Sequence, residues 1–461
     1  MSIKHKKLGA ALLCVVAIGI AVATTAGATS QTTPGVTGTK VTIGGTFPLS
    51  EGPTTGGASL YKTITAAEQA YFAYVNTHGK VHGRTIQDIV LNDHYTPSET
   101  LPLVKQLVES DHVFAIVGSL GTDPGLATWN YLNNNGVPQV LLASGDSYWG
   151  ICTKTGSAFH PVPNVCTKPK PWTMGWQPDY PGEAKLYAKY ILAHQVAPHA
   201  KIGILYQAGA HGYGENYLNA FVAALGTHKS YVVKAESYAV GENTSQIIGH
   251  IGQIKASGAN ALVIFATPGA SIGSLIGLQA LHWNHGTGGS IPGPAGGTFL
   301  NNVSANRVFM LTAQQNGAKT NGVISTTYIK SKTTFHDSAM ALGKAIIYGT
   351  GNASLKHQWD IGDSNLVYGL AVAWTFVDAL KHAGSNLTRA SFMNAIRNLN
   401  ESGATKNPFV YPGMAVKTCS PCASAVRTFP MEQLIMEKWA GQTSGPGGDW
   451  GTFGSVLNSG H

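Results

Sequence analysis

Short, continuously apolar segments alternate with segments of helical spacing along most of this chain. One example is Val113 to Val117, which runs straight into Gly-Ser-Leu-Gly-Thr and then into a predicted helix near Pro124. Such strands lack a polar face, so both of their faces must be buried. A parallel sheet that is covered by helices on both sides provides this burial, and the alternation therefore predicts an α/β fold.

The alternation occurs twice, in two halves that are separated by a cysteine-bounded stretch at residues 152–166. A chain of 461 residues is long for one domain and natural for two. Each half is expected to form its own parallel sheet. The predicted strands are Lys40–Pro48, Ile86–Leu91, Val113–Val117 and Pro138–Ala143 in the first half, and Lys201–Tyr206, Tyr231–Ser237 and Asn260–Ala266 in the second.

The two ends of the chain are expected to lie outside these sheets. Residues 1–28 have the pattern of a secretory signal peptide, with a basic start, the apolar run Leu8–Ala23 and the small-x-small cleavage site Ala26-Gly27-Ala28. An uncleaved membrane anchor is the alternative. Residues 29–39 are predicted to be a linker, and the Gly/Ser-rich residues 441–461 a flexible tail.

The composition excludes several classes of protein. Charged residues make up 11% of the chain and apolar residues 43%, which supports a sizeable core and argues against disorder. Without residues 1–28, which carry three lysines and no acid, the formal net charge falls from +8 to +5. No basic run is interleaved with aromatic residues, so no nucleic-acid partner is expected. No later stretch of about 18 apolar residues exists, so we expect membrane contact only through a partner protein.

Four cysteines remain after the predicted cleavage: Cys152, Cys166, Cys419 and Cys422. An even number in an exported chain indicates disulfides, and we expect sequence neighbours to pair, although three connectivities are possible. The Cys419-Ser-Pro-Cys422 spacing is also found in redox and zinc sites. A redox site needs its first thiol at a helix N-terminus, whereas an irregular stretch follows this motif. Reduced thiols are the remaining alternative.

Glycines and small hydroxyl residues follow several of the predicted strands. Ser119 and Thr122 follow the third strand, Ser144 follows the fourth, and Thr267 follows a strand of the second half. Ligands of open parallel sheets bind beyond the carboxyl ends of the strands, where helix N-termini present free N–H groups. The alternative is that these residues are turn formers and helix caps, with Asp123 as an N-cap. Their recurrence on one edge of both halves favours a ligand cleft.

The order of several segments resembles the type I periplasmic binding proteins of the branched-chain amino acid group. The segments are "GTFPLSEGPTTGG", "AAEQAYFAYVNTHGKVHGRTI", "NDHYTPSETLPLVKQLVESDHVFAIVGSLGT", "NNNGVPQVLLAS", "HGYGENY" and "LVYGLAVAWTFVDALKHAGSNLTRASFMNAI". The likeness covers roughly residues 40–440. It implies two Rossmann-like lobes, joined by three crossings, that close on a small ligand. The lobes are expected to comprise residues 40–172 plus 330–410 and residues 173–329 plus 411–440.

The resemblance also implies a ligand-binding set. Ser119 and Thr122, with their backbone N–H groups, would hold a ligand carboxylate, and the Ala143 backbone and the Ser144 hydroxyl would complete that grip. The residues implied around them are Tyr213, closing from the second lobe, Thr267 opposite it, and Leu49 and Ser50 at the variable end. The ligand itself stays open between an amino acid, an amide, a small carboxylate and a polar aromatic.

The resemblance implies a non-enzymatic role as the exported, periplasmic or extracellular capture component of an ABC importer, which would contact the permease subunits. A receptor or sensor without transport is the main alternative. A serine hydrolase is a weaker alternative. It is suggested by Gly269-Ala270-Ser271-Ile272-Gly273, which matches the nucleophile-elbow spacing. Thr267 and Pro268 spoil the sharp turn that this motif needs after the strand. Among the 17 histidines, no His-x-x-x-His or comparable cluster stands out on a predicted helix, so neither a metal nor a cofactor is expected.

Mass mapping of the exported protein under non-reducing conditions tests the cysteine pairing. We expect peptides linked through Cys152–Cys166 and Cys419–Cys422, because neighbouring cysteines close short loops in an oxidising compartment. Four free thiols, or bound zinc, would contradict this prediction.

Overall fold

The structure is a computed structural model. It describes residues 33–50, 58–149, 170–194, 199–209, 212–401, 406–418, 430–441 and 446–458. The predicted signal peptide lies outside the described residues, and so do Cys152, Cys166, Cys419 and Cys422. Cleavage and both disulfides therefore stay predictions.

The first half of the chain forms a five-stranded parallel sheet with helices between its strands. The elements are β1 (Lys40–Phe47), α1 (Thr63–Thr77), β2 (Thr85–Asn92), α2 (Pro97–Lys105), β3 (Ile116–Val117), α3 (Thr122–Asn134), β4 (Gln139–Leu142) and β5 (Thr173–Gly175). The strand order is β2-β1-β3-β4-β5, and every pair is parallel. All residues of β1 except Lys40 are buried, which is the two-sided burial that its sequence predicts.

The second half repeats the arrangement with five parallel strands. Its elements are α4 (Tyr180–His194), β6 (Ile202–Gln207), α5 (Tyr213–Ala224), β7 (Val232–Tyr238), α6 (Thr244–Ala256), β8 (Ala261–Phe265), α7 (Pro268–Ala280), β9 (Asn284–His285), β10 (Ile291–Pro292), β11 (Thr298–Leu300), α8 (Arg307–Gln315) and β12 (Ile324–Thr327). Strands β12, β11, β8, β6 and β7 are adjacent in that order and parallel, and β9 and β10 form a separate antiparallel pair.

The remainder of the chain returns to the first sheet and then to the second. Its elements are α9 (Ser338–Gly349), α10 (Ala353–Asp360), α11 (Ser364–Ala383), α12 (Arg389–Ile396), β13 (Asn400–Glu401), β14 (Val416–Lys417), β15 (Gln433–Gly441) and β16 (Gly448–Asn458). The Phe376 ring on α11 packs edge-on against Phe72 of α1, with 5.7 Å between ring centroids. Strand β15 then pairs antiparallel with β12. The α/β class with two sheets and repeated crossings is confirmed, whereas the bounds of the lobes stay a prediction.

The C-terminal end departs from the expected flexible tail. Strand β16 pairs antiparallel with β15 and extends the second sheet. The register of this pairing places Trp450 opposite Trp439. The two indole rings meet edge-on at 5.3 Å between centroids. The Gly/Ser content of residues 441–461 suggested flexibility, but the aromatic and aliphatic residues between the glycines are enough to pack a strand onto an existing sheet.

A histidine on the outer face of the second half is clamped by two carboxylates. In His250 of α6, Nδ1 lies 2.9 Å from Glu236 and Nε2 lies 2.8 Å from Glu242. Both ring nitrogens therefore act as donors, which requires the imidazolium form. Partial burial alone would lower the pKa of His250, but the two hydrogen bonds and the negative charges outweigh it and raise the pKa above 6.5.

The His250 clamp predicts a pH-dependent contribution to stability. Because the folded-state pKa lies above the unfolded one, the contribution is complete below about pH 6.5 and is lost as the pH rises through the folded-state pKa. We expect His250→Gln to lower the melting temperature at pH 5.5 by more than at pH 9. Thermal unfolding of both proteins at the two pH values checks this, and an equal loss at both would contradict it.

Candidate functional site

A cavity of about 100 Å³, here named the central cavity, lies where strand ends of the two sheets meet. From the first sheet, Gly121 and Ala143 line it just beyond β3 and β4. From the second sheet, Thr267 lines it just beyond β8, and Thr327 lines it at the end of β12. The cavity thus occupies the position that the strand-end rule assigns to a ligand.

Tyrosines dominate the wall of the central cavity. They are Tyr61, Tyr95, Tyr180, Tyr213, Tyr328 and Tyr368. Each is more than nine-tenths buried, and this burial raises the pKa of every hydroxyl above the ordinary value of 10. This part of the wall is therefore aromatic, its hydroxyls stay un-ionised, and each hydroxyl can donate one hydrogen bond and accept others.

Several polar groups in this wall have no partner in the part of the protein that the structure describes. The Tyr368 hydroxyl donates to Oε1 of Gln177 at 3.1 Å, but the buried Nε2 of Gln177 has no acceptor. No described residue forms a hydrogen bond with the hydroxyl of Tyr95 or Tyr328. Buried polar groups are almost always hydrogen-bonded, so unpartnered ones that converge on one cavity point to a guest molecule that satisfies them.

Tyr95 is a functional candidate that the sequence analysis missed. Its backbone lies in the left-handed region, at φ 57°, and is held there by Asp93, whose carboxylate accepts from the Tyr95 N–H at 3.0 Å and from the Thr100 hydroxyl at 2.9 Å. A Cβ on Gly121 would lie 2.5 Å from the Tyr95 ring, so only glycine lets the ring rest on this turn. The signal was present, because Tyr95 follows β2 at the same sheet edge.

Three residues of the predicted ligand-binding set line the central cavity: Ala143, Tyr213 and Thr267. The Tyr213 hydroxyl donates to the carbonyl of Ala266 at 2.9 Å and accepts a hydrogen bond from Asn301. These bonds fix the Tyr213 ring at the start of α5, facing the cavity from the second sheet. Contact between these three residues and a ligand stays a prediction.

The other predicted residues lie behind or beside the described wall. The Ser119 hydroxyl accepts from the Thr46 N–H at 3.0 Å, and the hydroxyls of Thr122 and Ser144 are 2.8 Å apart. These hydroxyls bind the strand-end turns to one another and do not line the central cavity.

Leu49 and Ser50 are likewise absent from the described wall. Both are bound by Asn92, whose Oδ1 accepts from the Leu49 N–H at 2.9 Å and whose Nδ2 donates to the Ser50 hydroxyl at 2.8 Å. The chain that follows them, residues 51–57, is outside the described residues. A role at the variable end of the ligand stays a prediction for both.

Asp123 reaches across from the first sheet to a helix of the second. It is not the predicted N-cap, because α3 begins at Thr122 with Gly121 as the capping residue and no side-chain cap. Its carboxylate instead lies against Gly212 at the start of α5, where a Cβ would approach within 2.4 Å. Burial and the nearby Glu215 raise the pKa of Asp123 from 3.8 to about 6.

A buried glutamate anchors the second-sheet side of the wall. Glu183 accepts hydrogen bonds from the Asn302 N–H at 2.7 Å, the Thr326 hydroxyl at 3.0 Å and the Tyr217 hydroxyl at 2.7 Å. The Tyr217 ring stacks on Tyr180 with 4.4 Å between centroids. Burial raises the pKa of Glu183 to about 7, while these hydrogen bonds oppose that rise. Glu183 therefore positions wall residues without lining the cavity itself.

The structure places the hydrolase candidate Ser271 inside α7. It is 1% exposed, and its hydroxyl donates to the carbonyl of Ala266 at 3.2 Å. No histidine or acid among the described residues hydrogen-bonds to it, which argues against a nucleophile. The described part of the chain also contains no cluster of three or more metal-ligating side chains. None of its helices combines the length and apolar character that crossing a bilayer requires.

Comparison with known families gives a match to the family described as "Periplasmic binding protein", over residues 40–287. This match covers more than half of the chain and confirms the family resemblance stated above. No curated protein matches the chain in sequence.

Solved structures share the fold over nearly the whole chain. A branched-chain amino acid ABC transporter protein from Thermus thermophilus, with bound valine, has a TM-score of 0.69 at 14% identity, covering 92% of this chain and 97% of that one. A fatty acid ABC transporter substrate-binding protein from Thermomonospora curvata has a TM-score of 0.64 at 19% identity, with coverages of 92% and 94%.

A third similar structure was solved with an aromatic acid. It is a solute-binding protein of an ABC transporter from Rhodopseudomonas palustris BisB5 in complex with 3,4-dihydroxybenzoic acid, with a TM-score of 0.65 at 15% identity and coverages of 91% and 97%. At these identities the likeness shows the fold alone. The three titles name an amino acid, a fatty acid and an aromatic acid, so the fold does not fix the ligand.

Because the pKa of Asp123 is raised in the folded state, we predict that ionisation of its carboxyl group, which lies against α5, destabilises the fold. Between pH 3.8 and about 6 the folded state holds a proton that the unfolded state has released, so this group's contribution falls as the pH rises through that window. We expect Asp123→Asn to be more stable than the wild type at pH 7.5 but not at pH 3.5. Thermal unfolding checks this, with Asp360→Asn on α10 as the control, and a gain that is independent of pH would contradict it.

Proposed function

We propose that this chain, which belongs to the periplasmic binding protein family, captures a small solute in the central cavity and delivers it to an ABC importer. The observation that carries the proposal is the convergence of unpartnered, buried polar groups on one cavity between two parallel sheets. The capture takes place outside the cytoplasm, and the permease subunits of the importer are the proposed partners. No chemical step on the solute is part of this function.

The size of the central cavity supports a small ligand. A volume of about 100 Å³ is several times the roughly 10–15 Å³ that one water molecule needs, so the cavity has room for a small organic molecule. Tyrosine rings would cover its apolar surface, and the free hydroxyls of Tyr95 and Tyr328 with the amide of Gln177 would bind its polar groups.

The structure is held together across the cavity by polar contacts that must break for the solute to enter. The Tyr61 hydroxyl donates to the carbonyl of Val303 at 3.1 Å, and the Asn216 amide donates to the Ser147 hydroxyl at 3.0 Å. Each such bond contributes only about 0.5–1.5 kcal/mol net, because water replaces it on opening. Breaking these bonds therefore adds little to the free energy of opening. A bound solute that contacts both sides stabilises the closed form by its own contacts.

The predicted ligand-binding set takes two roles in this proposal. Ala143, Tyr213 and Thr267 contact the solute from the wall. Ser119, Thr122 and Ser144 act behind it, because their mutual and backbone hydrogen bonds set the turns on which the wall is built. Leu49 and Ser50 border the variable end of the solute. They lie at the end of a described segment, directly before residues 51–57.

Removing the free tyrosine hydroxyls tests the site with little risk to the fold. A thermal-shift panel of amines, amino acids, amides, alcohols, short carboxylates and aromatic acids first identifies a binder. Tyr95→Phe and Tyr328→Phe should then each weaken its affinity by about 2- to 10-fold, because each removes one hydrogen bond to the solute. The melting temperature without ligand should not fall, since neither hydroxyl has a protein partner among the described residues.

Tyr74→Phe is the matched control for this test. The Tyr74 hydroxyl also has no hydrogen bond to a described residue, but the residue lies on α1 away from the cavity wall. Its substitution should leave the affinity unchanged. Equal affinities in all four proteins, or chemical conversion of the bound compound, would contradict the proposed function.

A further inference from the structure

A buried carboxyl group in the wall of the central cavity has no partner among the described residues. Glu437 lies on β15 and is 6% exposed, and its register partners are Ser325 of β12 and Thr452 of β16. No hydrogen bond or ion pair joins its carboxyl group to any described residue. An unpaired carboxylate at this depth is costly, so the group needs either a proton or a cation.

The surroundings of Glu437 favour positive charge, and no described cation pairs with its carboxyl group; Arg307 lies 4.0 Å from Asp449 instead. Burial and the nearby acids Asp449 and Glu183 raise the pKa of Glu437. The two basic residues of the cavity wall are already engaged by other groups. Lys330 pairs with Asp337 at 2.5 Å, and Arg307 donates to the backbone carbonyls of Gly448, at 3.0 Å, and Ile361.

We propose that the solute carries a cationic nitrogen and that the carboxyl group of Glu437 binds it. This inference rests on the proposed function, since it names the class of solute for the same cavity. A protonated amine brings the donor and the charge that Glu437 lacks. An anionic solute would instead bring a second negative charge close to Glu437 and Asp449.

The rest of the wall suits the body of such an amine. The tyrosine rings and Trp450 line the cavity with aromatic surface, which suits a cation and its apolar stem. The Gln177 amide and the indole N–H of Trp450 are both buried donors without acceptors. They match a hydroxyl or carbonyl oxygen elsewhere on the solute, so we infer an amine that also carries a neutral oxygen.

The wall gives less support to a carboxylate on the same solute. The hydroxyls of Ser119, Thr122 and Ser144 are engaged with other protein groups, and the Tyr95 ring rests on Gly121. A carboxylate would have to displace that ring to reach the N–H groups of this turn. The wall therefore favours a hydroxylated amine over an α-amino acid.

Three probes of nearly equal shape test the charge directly: tyramine, tyrosol and 4-hydroxyphenylacetate, which end in an ammonium, a hydroxyl and a carboxylate. A second series of 4-aminobutanol, 1,4-butanediol and 4-hydroxybutyrate repeats the test without the ring. Calorimetric titration at pH 7.5 should show the amine as the tightest binder in at least one series. Glu437→Gln should weaken that binding by at least about ten-fold, as expected for a charge-assisted hydrogen bond.

Two controls separate the charge from the fold. Glu99→Gln, at an exposed carboxylate outside the cavity wall, should leave amine affinity unchanged. Glu437→Asp keeps the charge but shortens the side chain, so it should give an intermediate affinity. The Glu437→Gln protein should melt no lower than the wild type without ligand, because the substitution removes an unpaired acid.

The outcomes distinguish this inference from the proposed function. If an alcohol or an acid binds more tightly than its amine, and Tyr95→Phe weakens it, the central cavity binds solutes but the cationic class is wrong. Unchanged amine affinity in Glu437→Gln also overturns the inference. If no compound of either series or of the wider panel binds, the proposed function fails with it.

Discussion

The burial of polar groups between two parallel sheets is the constraint on which this structure depends. Each sheet directs its strand ends and helix N-termini towards the same space, and the wall there is built from tyrosines, amides and carboxyls. A buried polar group without a partner costs about 1–3 kcal/mol. Among the described residues, the central cavity contains such groups on Tyr95, Gln177 and Glu437. A bound molecule that forms hydrogen bonds with them therefore stabilises the structure.

The groups that do have partners make the wall rigid. Glu183 ties the backbone at Asn302, the hydroxyl of Thr326 and the ring of Tyr217 into one hydrogen-bonded cluster, and Tyr217 in turn supports Tyr180 by stacking. On the other side, Asp93 keeps Tyr95 in a left-handed conformation that few residues adopt. In the proposed function, recognition would rest on side chains that are fixed before the solute arrives, which would reduce the entropy lost on binding.

Much of the fold follows from the sequence, because apolar runs that alternate with helical spacing have few other ways to bury both faces of each strand. The strand-end rule named Thr267, and the family resemblance added Ala143 and Tyr213; all three lie on the wall. Tyr95 also follows a strand, β2, at this edge, but the sequence analysis weighed only glycines and small hydroxyl residues there and so missed it. The strand-end rule could not find Glu437, which reaches the cavity on an antiparallel strand from the far end of the chain. Composition misjudged the last strand, where paired tryptophans outweigh the glycines.

The most direct test of the account is a crystal structure of the protein with a compound that raises its melting temperature. The account predicts the unmodified compound inside the central cavity, in contact with the hydroxyl groups of Tyr95 or Tyr328 and facing Tyr213. The same structure should show Thr122 and Ser144 still bonded to each other behind the wall. A compound bound elsewhere on the chain, or one that has been chemically altered, would contradict it.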